Sequence, residues 1–283
     1  MKNFNKIFTS AFILFIIAHC SLFIDNCKAQ WVQTNGPYGG EVDCFAISGE
    51  NIFAGTWSGI FLSINNGVSW SARNSGLPNG YIYSLAVSGN NIFAGSWTKG
   101  VFLSTNNGDS WTSVNNGLYN LNIYSLVITG NKIFAGTYNG GVYFSSNNGA
   151  NWTAINNGLS NLIILSLALS GNNIFAGTAG GVFLSTNDGE NWVPANNGLT
   201  NLILNKIAVS GNKIFAGTVE GVFLSTDNGG TWNAANNGLT NLYVLSLLIS
   251  GDNIFTGTDG GGAFLSTNNG GSWTPVNNGL TNP

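Results

Sequence analysis

Tryptophan recurs at positions 70, 111, 152, 192, 232 and 273, each time closing an octet of the type Ser104-Thr105-Asn106-Asn107-Gly108-Asp109-Ser110-Trp111. The steps between these residues are 41, 41, 40, 40 and 41, so one supersecondary unit is copied along the chain. A unit of that size cannot bury a core alone and has to stack on its neighbours, which makes the repeats one domain. The expected division is a leader over 1–29 and a single repeat domain over 30–283.

The second unit shows the local pattern. Tyr81 to Ser88 is a short apolar run closed by Gly89-Asn90-Asn91, and Ile92 to Ser96 follows. Val101 to Ser104 leads into Asn106-Asn107-Gly108, and Trp111 to Val114 ends at Asn115-Asn116-Gly117. Runs of this length, punctuated by Gly and Asn, are strands joined by tight turns. No stretch past the leader carries ten or more residues of helical periodicity. Four strands per unit, six times over, predicts an all-β protein, a β-propeller of six complete four-stranded blades. Trp31 to Asn35 aligns with Trp111 to Asn115, so an extra N-terminal outer strand is expected as well. Two closures stay open. One is a truncated seven-bladed ring short of roughly thirty residues of its last blade; the other is a six-bladed ring with a spare strand.

Charge is scarce, 7% of residues against roughly 25% in an ordinary soluble domain, and forty Gly with many Asn supply the polarity instead. Nine Trp and eighteen Phe at regular spacing separate this chain from a disordered one. Past residue 29 there are five basic residues (Arg73, Lys99, Lys132, Lys206, Lys213) against ten acidic ones. With no basic stripe, neither nucleic acid nor an anionic membrane surface is an expected partner.

Lys2 and Lys6 precede an apolar run from Ile7 to Ile24, and Cys27-Lys28-Ala29 offers small residues for cleavage before Gln30. That pattern reads as a secretory signal, and no membrane insertion is expected after cleavage. Two of three Cys lie in the leader; Cys44 alone follows, where other units carry Ser84, Ser125, Ser166 and Ser246. A lone thiol makes no internal disulfide, and Cys44 is expected to be a buried small residue.

The octet resembles the Asp-box, or BNR, repeat of sialidases, sortilin-type receptors, xyloglucan-degrading hydrolases and photosystem II assembly/stability factor-like propellers. It runs from Ser63 to Trp70, Ser104 to Trp111, Ser145 to Trp152, Ser185 to Trp192, Ser225 to Trp232 and Ser266 to Trp273. The third position is Asn in five copies and Asp only at Asp227. The resemblance implies the propeller fold, with the box as a structural staple, and a docking role for the photosystem-type relatives. It implies no activity, because the box occurs in enzymes and non-enzymes alike.

Chemistry is sparse. The single His, His19, lies in the leader, so imidazole-based catalysis and His metal ligation are excluded downstream. Sialidase activity in the resembling family needs three Arg on the substrate carboxylate, and Arg73 is the one Arg here. No catalytic residue, cofactor or metal site is expected; the acids in Asn187-Asp188-Gly189-Glu190-Asn191 read as additions to a turn. A glycoside hydrolase (xyloglucanase-like) using two of Glu41, Asp43, Glu220 and Asp259 is the competing reading, these acids lying in loops of one face. A third is that the chain is one module of a longer cell-surface protein.

What departs from the repeat is aromatic. After the second strand the first three units carry Trp57, Trp97 and Tyr138, where later units carry Ala179, Val219 and Asp259. The linkers before the inner strands of the first three units add Tyr38, Tyr81 and Tyr119. Trp and Tyr gathered on half of one face predict a surface for a protein or carbohydrate ligand. The expected function is thus a secreted, non-catalytic binding or scaffolding module.

Overall fold

The computed structural model describes residues 31–37 and 41–281. The expected leader and Tyr38 lie outside the described residues. Within them the chain forms six four-stranded antiparallel sheets, each in sequence order, and no helix. The six blades stand in a ring as a β-propeller. Their inner strands are Val42–Ser48, Ile82–Ser88, Ile123–Thr129, Ile164–Ser170, Leu204–Ser210 and Val244–Ser250. From blade 1 to blade 6 each inner strand packs beside the next.

The second strands explain how blades come so close. Each reads Ile-Phe-Ala/Thr-Gly-Thr/Ser, with its Phe and Ile buried. A Cβ on Gly136 would lie 2.6 Å from Ile164 of the next blade, so glycine is what lets the neighbouring inner strand approach. The core is therefore a set of apolar seams between blades. In the seam between blades 2 and 3, Phe93 and Val101 meet Leu118, Ile123, Leu126, Tyr143 and Trp152. Hydroxyls lock the inner strands together: Ser84 Oγ accepts the Leu126 amide at 2.8 Å, and Ser125 Oγ that of Leu167 at 2.9 Å. At Cys44 the thiol instead donates to the Ile82 carbonyl at 3.6 Å.

The octet turn works through its short polar side chains. Ser104 Oγ donates to Asn106 Oδ1 at 2.9 Å and accepts the Gly108 amide at 2.9 Å. Asn106 Oδ1 also accepts the Ser110 amide at 3.0 Å. Asn107 (φ 55°) and Gly108 (φ 82°) take the left-handed conformations that this reversal requires. In the Asp copy, Asp227 accepts from Ser225 Oγ, the Thr231 amide and Thr231 Oγ1 at 2.7–2.8 Å. Those bonds, the Thr231 amide first, lower its carboxyl from 3.8 to about 2.

Trp111 leaves the ladder, so the outer strand is shorter than expected, Thr112–Ser113 alone. The indole crosses into the seam with blade 1, packs with Phe53 and Ile60, and donates to the Arg73 carbonyl at 2.8 Å. Trp152, Trp192, Trp232 and Trp273 repeat this on Val114, Ile155, Ala195 and Ala235 at 2.7–2.8 Å. Their backbone amides also bond the preceding linker, as Trp152 does with Asn116 at 2.9 Å. Trp31 does the same to blade 6, its indole donating to the Val276 carbonyl and its amide to Asn278 at 2.9 Å. The expected N-terminal outer strand is nonetheless not a strand. With no third strand beside it to pair with, its strand-like pairing is a parallel bridge from Asn35 to Ser69 of blade 1. The segment spans from the last blade to the first.

Trp31→Ala should lower stability by on the order of 2 kcal/mol, and Trp152→Ala by about 3–5, measured by denaturant unfolding. Asp227 holds a folded pKa below its unfolded value, so its contribution is full above about pH 4 and lost as pH falls toward about 2. Asp227→Asn should flatten that part of the acid-unfolding curve, read by circular dichroism, while leaving the melting temperature at pH 7 nearly unchanged.

Candidate functional site

Each loop after a second strand is tied to the residue that enters the inner strand of the same blade. The Trp97 amide donates to the Tyr81 carbonyl at 3.0 Å, Tyr138 to Asn122 at 3.0 Å, and Trp57 to Glu41 at 3.4 Å. Side chains of these loops and of the inner-strand starts therefore share one face. A bulge in each inner strand, between Ile82 and Ser84 in blade 2, turns out the residue at its crest. The crest residues are Asp43, Tyr83, Tyr124, Leu165, Asn205 and Leu245.

Over blades 1 to 3 this arrangement produces a continuous run of rings. Trp57 meets Tyr81 edge-on at 5.2 Å, and Tyr81 lies 6.3 Å from Tyr83. Tyr83 stacks on Tyr124 at 5.0 Å and 14°, and Tyr124 on Tyr138 at 5.6 Å and 27°. Trp97 packs edge-on against Tyr83, Tyr124 and Tyr138 at 5.3–5.9 Å. Such offset and edge contacts suit the ring quadrupoles. Trp57 and Tyr81 are the open end, 37% and 39% exposed, while Trp97, Tyr83, Tyr124 and Tyr138 are half-buried. Tyr119 stands apart: it is 92% exposed and makes no ring contact among the described residues. Asn120, beside it, holds the Tyr138 loop by donating to that residue's carbonyl at 2.8 Å.

Sequence reading thus brings Trp57, Trp97, Tyr138 and Tyr81 to one place and misses the two tyrosines at the centre. Tyr83 and Tyr124 were legible as departures at a single aligned position, where later units carry Leu165, Asn205 and Leu245. Hidden inside apolar strand runs, they read as core.

Asp43 sits at the Trp57 end. The Trp57 indole donates to its carboxyl, but Oδ2 is buried without a partner. Burial first, then the neighbouring Glu41, push the carboxyl from 3.8 up to about 7, against the pull of the indole. Burial likewise raises Tyr83 to about 12, with Asp43, Tyr81 and Glu41 adding to it. In blade 5 Lys206 takes the place of a seam serine. Solvent reaches its side chain although protein surrounds it, and burial lowers its pKa, partly offset by Cys44.

The other proposed carboxylates are elsewhere. Glu220 and Asp259 are exposed on the loops of blades 5 and 6, Glu220 accepting from Thr200 Oγ1 at 3.4 Å. The carboxyl that Asp43 feels is Glu41, two residues along its own chain, not one facing it across a cleft. Asp188, in the acid-bearing turn of blade 4, pairs with Lys132 at 2.6 Å. Among the described residues no group of three or more His, Cys, Asp or Glu is placed to hold a metal, and no helix is long and apolar enough to cross a membrane.

This fold can be set beside known proteins. The model of the DUF6242 beta propeller domain matches residues 79–197, less than half of the chain. The chain resembles the extracellular domain of the putative one component system BT4673 from B. thetaiotaomicron with a TM-score of 0.72 and 23% identity. The match covers 84% of this chain and only 35% of that one. YCF48 from Cyanidioschyzon merolae matches with a TM-score of 0.70 and 17% identity over 87% and 88% of the two chains. YCF48 bound to D1 peptide matches at 0.65 and 16%, over 83% and 80%. The GH74 xyloglucanase from Xanthomonas campestris matches at 0.66 and 16%, over 84% of this chain and 48% of that one. No curated protein matches. At these identities the likeness is one of fold, shared by enzymes and non-enzymes.

Because the Asp43 carboxyl is harder to ionise folded than unfolded, its favourable share of stability is full below about pH 4 and lost as pH rises through about 7. Asp43→Asn should therefore raise the melting temperature at pH 8 relative to wild type and remove that slope, as followed by thermal melts from pH 4 to 8.

Proposed function

We propose that the chain is an extracellular, non-catalytic binding module that holds a protein or glycan ligand on the aromatic ladder of blades 1 to 3. The observation that carries this reading is the ladder itself. Six rings on near-identical units are confined to half of one face, with an open end at Trp57 and Tyr81. Stacked rings offer wide, flat, low-entropy contact area, and the Asp43 carboxyl beside them can donate or accept near neutral pH.

Placement outside the cell rests on the leader-like start and on the likeness to an extracellular domain. The peptide bound by a YCF48 propeller is a fact about that protein, but it makes a polypeptide ligand one natural candidate. The scattering of Glu220, Asp259 and the Glu41–Asp43 pair weighs against a two-carboxylate hydrolase.

The test is a glycan array with pull-down from the extracellular fraction, followed by variants at the open end. Tyr81→Ala should weaken the ligand found by about tenfold or more while shifting the melting temperature by only about 2 °C. Trp97→Ala, packed on three rings, should lose stability as well. Equal losses of binding and stability in Tyr81→Ala would sink the reading.

A further inference from the structure

Six equivalent seams should be alike, and five are. The seams from blade 1–2 to blade 5–6 each hold one apolar cluster. In each, a Cβ on the second-strand glycine would meet the next blade: Gly55 at 2.8 Å from Ile82, Gly95 at 2.5 Å from Ile123, Gly217 at 2.5 Å from Val244. Between blades 6 and 1 none of this holds among the described residues. A Cβ on Gly257 would meet only Ser246 of its own blade, whose hydroxyl turns back to accept the Gly257 amide at 3.2 Å. The inner strands of blades 6 and 1 are not packed together as the others are. Leu248 is 44% exposed where its counterpart Ala168 is 8%, and Ile47 on the other wall is 49% exposed. The Trp70 indole N–H is buried with no acceptor, the one octet tryptophan so placed.

The floor of this gap is polypeptide. Trp31 makes on blade 6 the two bonds that Trp111 to Trp273 make on blades 1 to 5. Val32 and Gln33 follow it at the positions of Thr112 and Ser113, which elsewhere pair with Leu103 and Phe102. Here they belong to no sheet. A main-chain edge without a strand beside it, between two apolar walls with glycine at closest approach, suits only an occupant that has both an amide ladder and alternating apolar side chains. A sugar would bring hydroxyls against Leu248 and Ile47 with nothing to bond them.

We propose that the gap between blades 6 and 1 is a docking slot for extended strands of a partner polypeptide with the face pattern of the repeat itself. Its outer strand pairs with Val32–Gln33, and its inner strand lies between Leu248 and Ile47, facing Gly257. This surface is separate from the aromatic ladder.

The probe is a synthetic peptide of residues 81–104, the three strands that fill regular seams, titrated into the full chain by calorimetry beside a scrambled control. Saturable binding of the peptide and not of the control is expected, with a rise in melting temperature. Leu248→Lys, at a position open in the unliganded chain, should fold with a melting temperature within about 2 °C of wild type. Gly257→Ala, where the Ser246 hydroxyl has to turn away from a Cβ 2.6 Å off, should fold with a small loss of stability. Both should bind about tenfold more weakly. Tyr81→Ala should bind as wild type does. No saturable binding, equal binding of the scrambled peptide, or unchanged affinity in both slot variants overturns the proposal.

Discussion

Everything in this ring hangs on an indole that belongs to one blade and bonds the one before it. Its ring area fills the seam, and its N–H meets the carbonyl that precedes an Asn-Asn-Gly turn, as Trp152 does at Val114. Full burial of such a ring removes ~150–250 Å² from water, an upper bound of ~4–6 kcal/mol at ~25 cal/mol per Å². Phenylalanine would supply the area and leave the carbonyl unpaired. The same contact dictates glycine on the receiving side: a Cβ at Gly117 would stand 2.2 Å from the Trp152 carbonyl oxygen. One residue thus sets the spacing of the repeat, the length of the outer strand and the identity of the linker.

The architecture was open to reading because those demands recur in step. The octets, the Ile-Phe-Ala-Gly strands and the Asn-Asn-Gly linkers each state one contact, repeated until chance is excluded. What the pattern could not state is how far an element extends once a side chain has left it. Trp111 to Val114 reads as a four-residue strand, yet the pull of the indole into the seam leaves two residues in the ladder. Trp31 to Asn35 carries the sequence of an outer strand and forms none, since a strand exists only beside a partner.

The site was half legible for a related reason. Trp57, Tyr81, Trp97 and Tyr138 stand in loops, where any ring is a visible departure. Tyr83 and Tyr124 sit within strands whose ordinary content is apolar, and only the bulge beside them turns them toward the face. Lys206 is hidden in the same way, in a column of serines. Across near-identical units, individuality is concentrated in the inner-strand crests and the loops above them, while the five packed seams keep to one plan. A frame built from copies leaves such positions free to vary, because no seam depends on them.

One further property follows from the asparagine that stands where an acid could. In five turns the acceptor of the Ser and backbone bonds is a neutral amide, as Asn106 is. Ion pairs among the described residues are confined to the exposed surface, Arg73 with Asp109 and Lys132 with Asp188. Bonds between neutral dipoles recruit no counter-ions and do not respond to Debye screening. Brackish and fresh water should therefore look much the same to this ring.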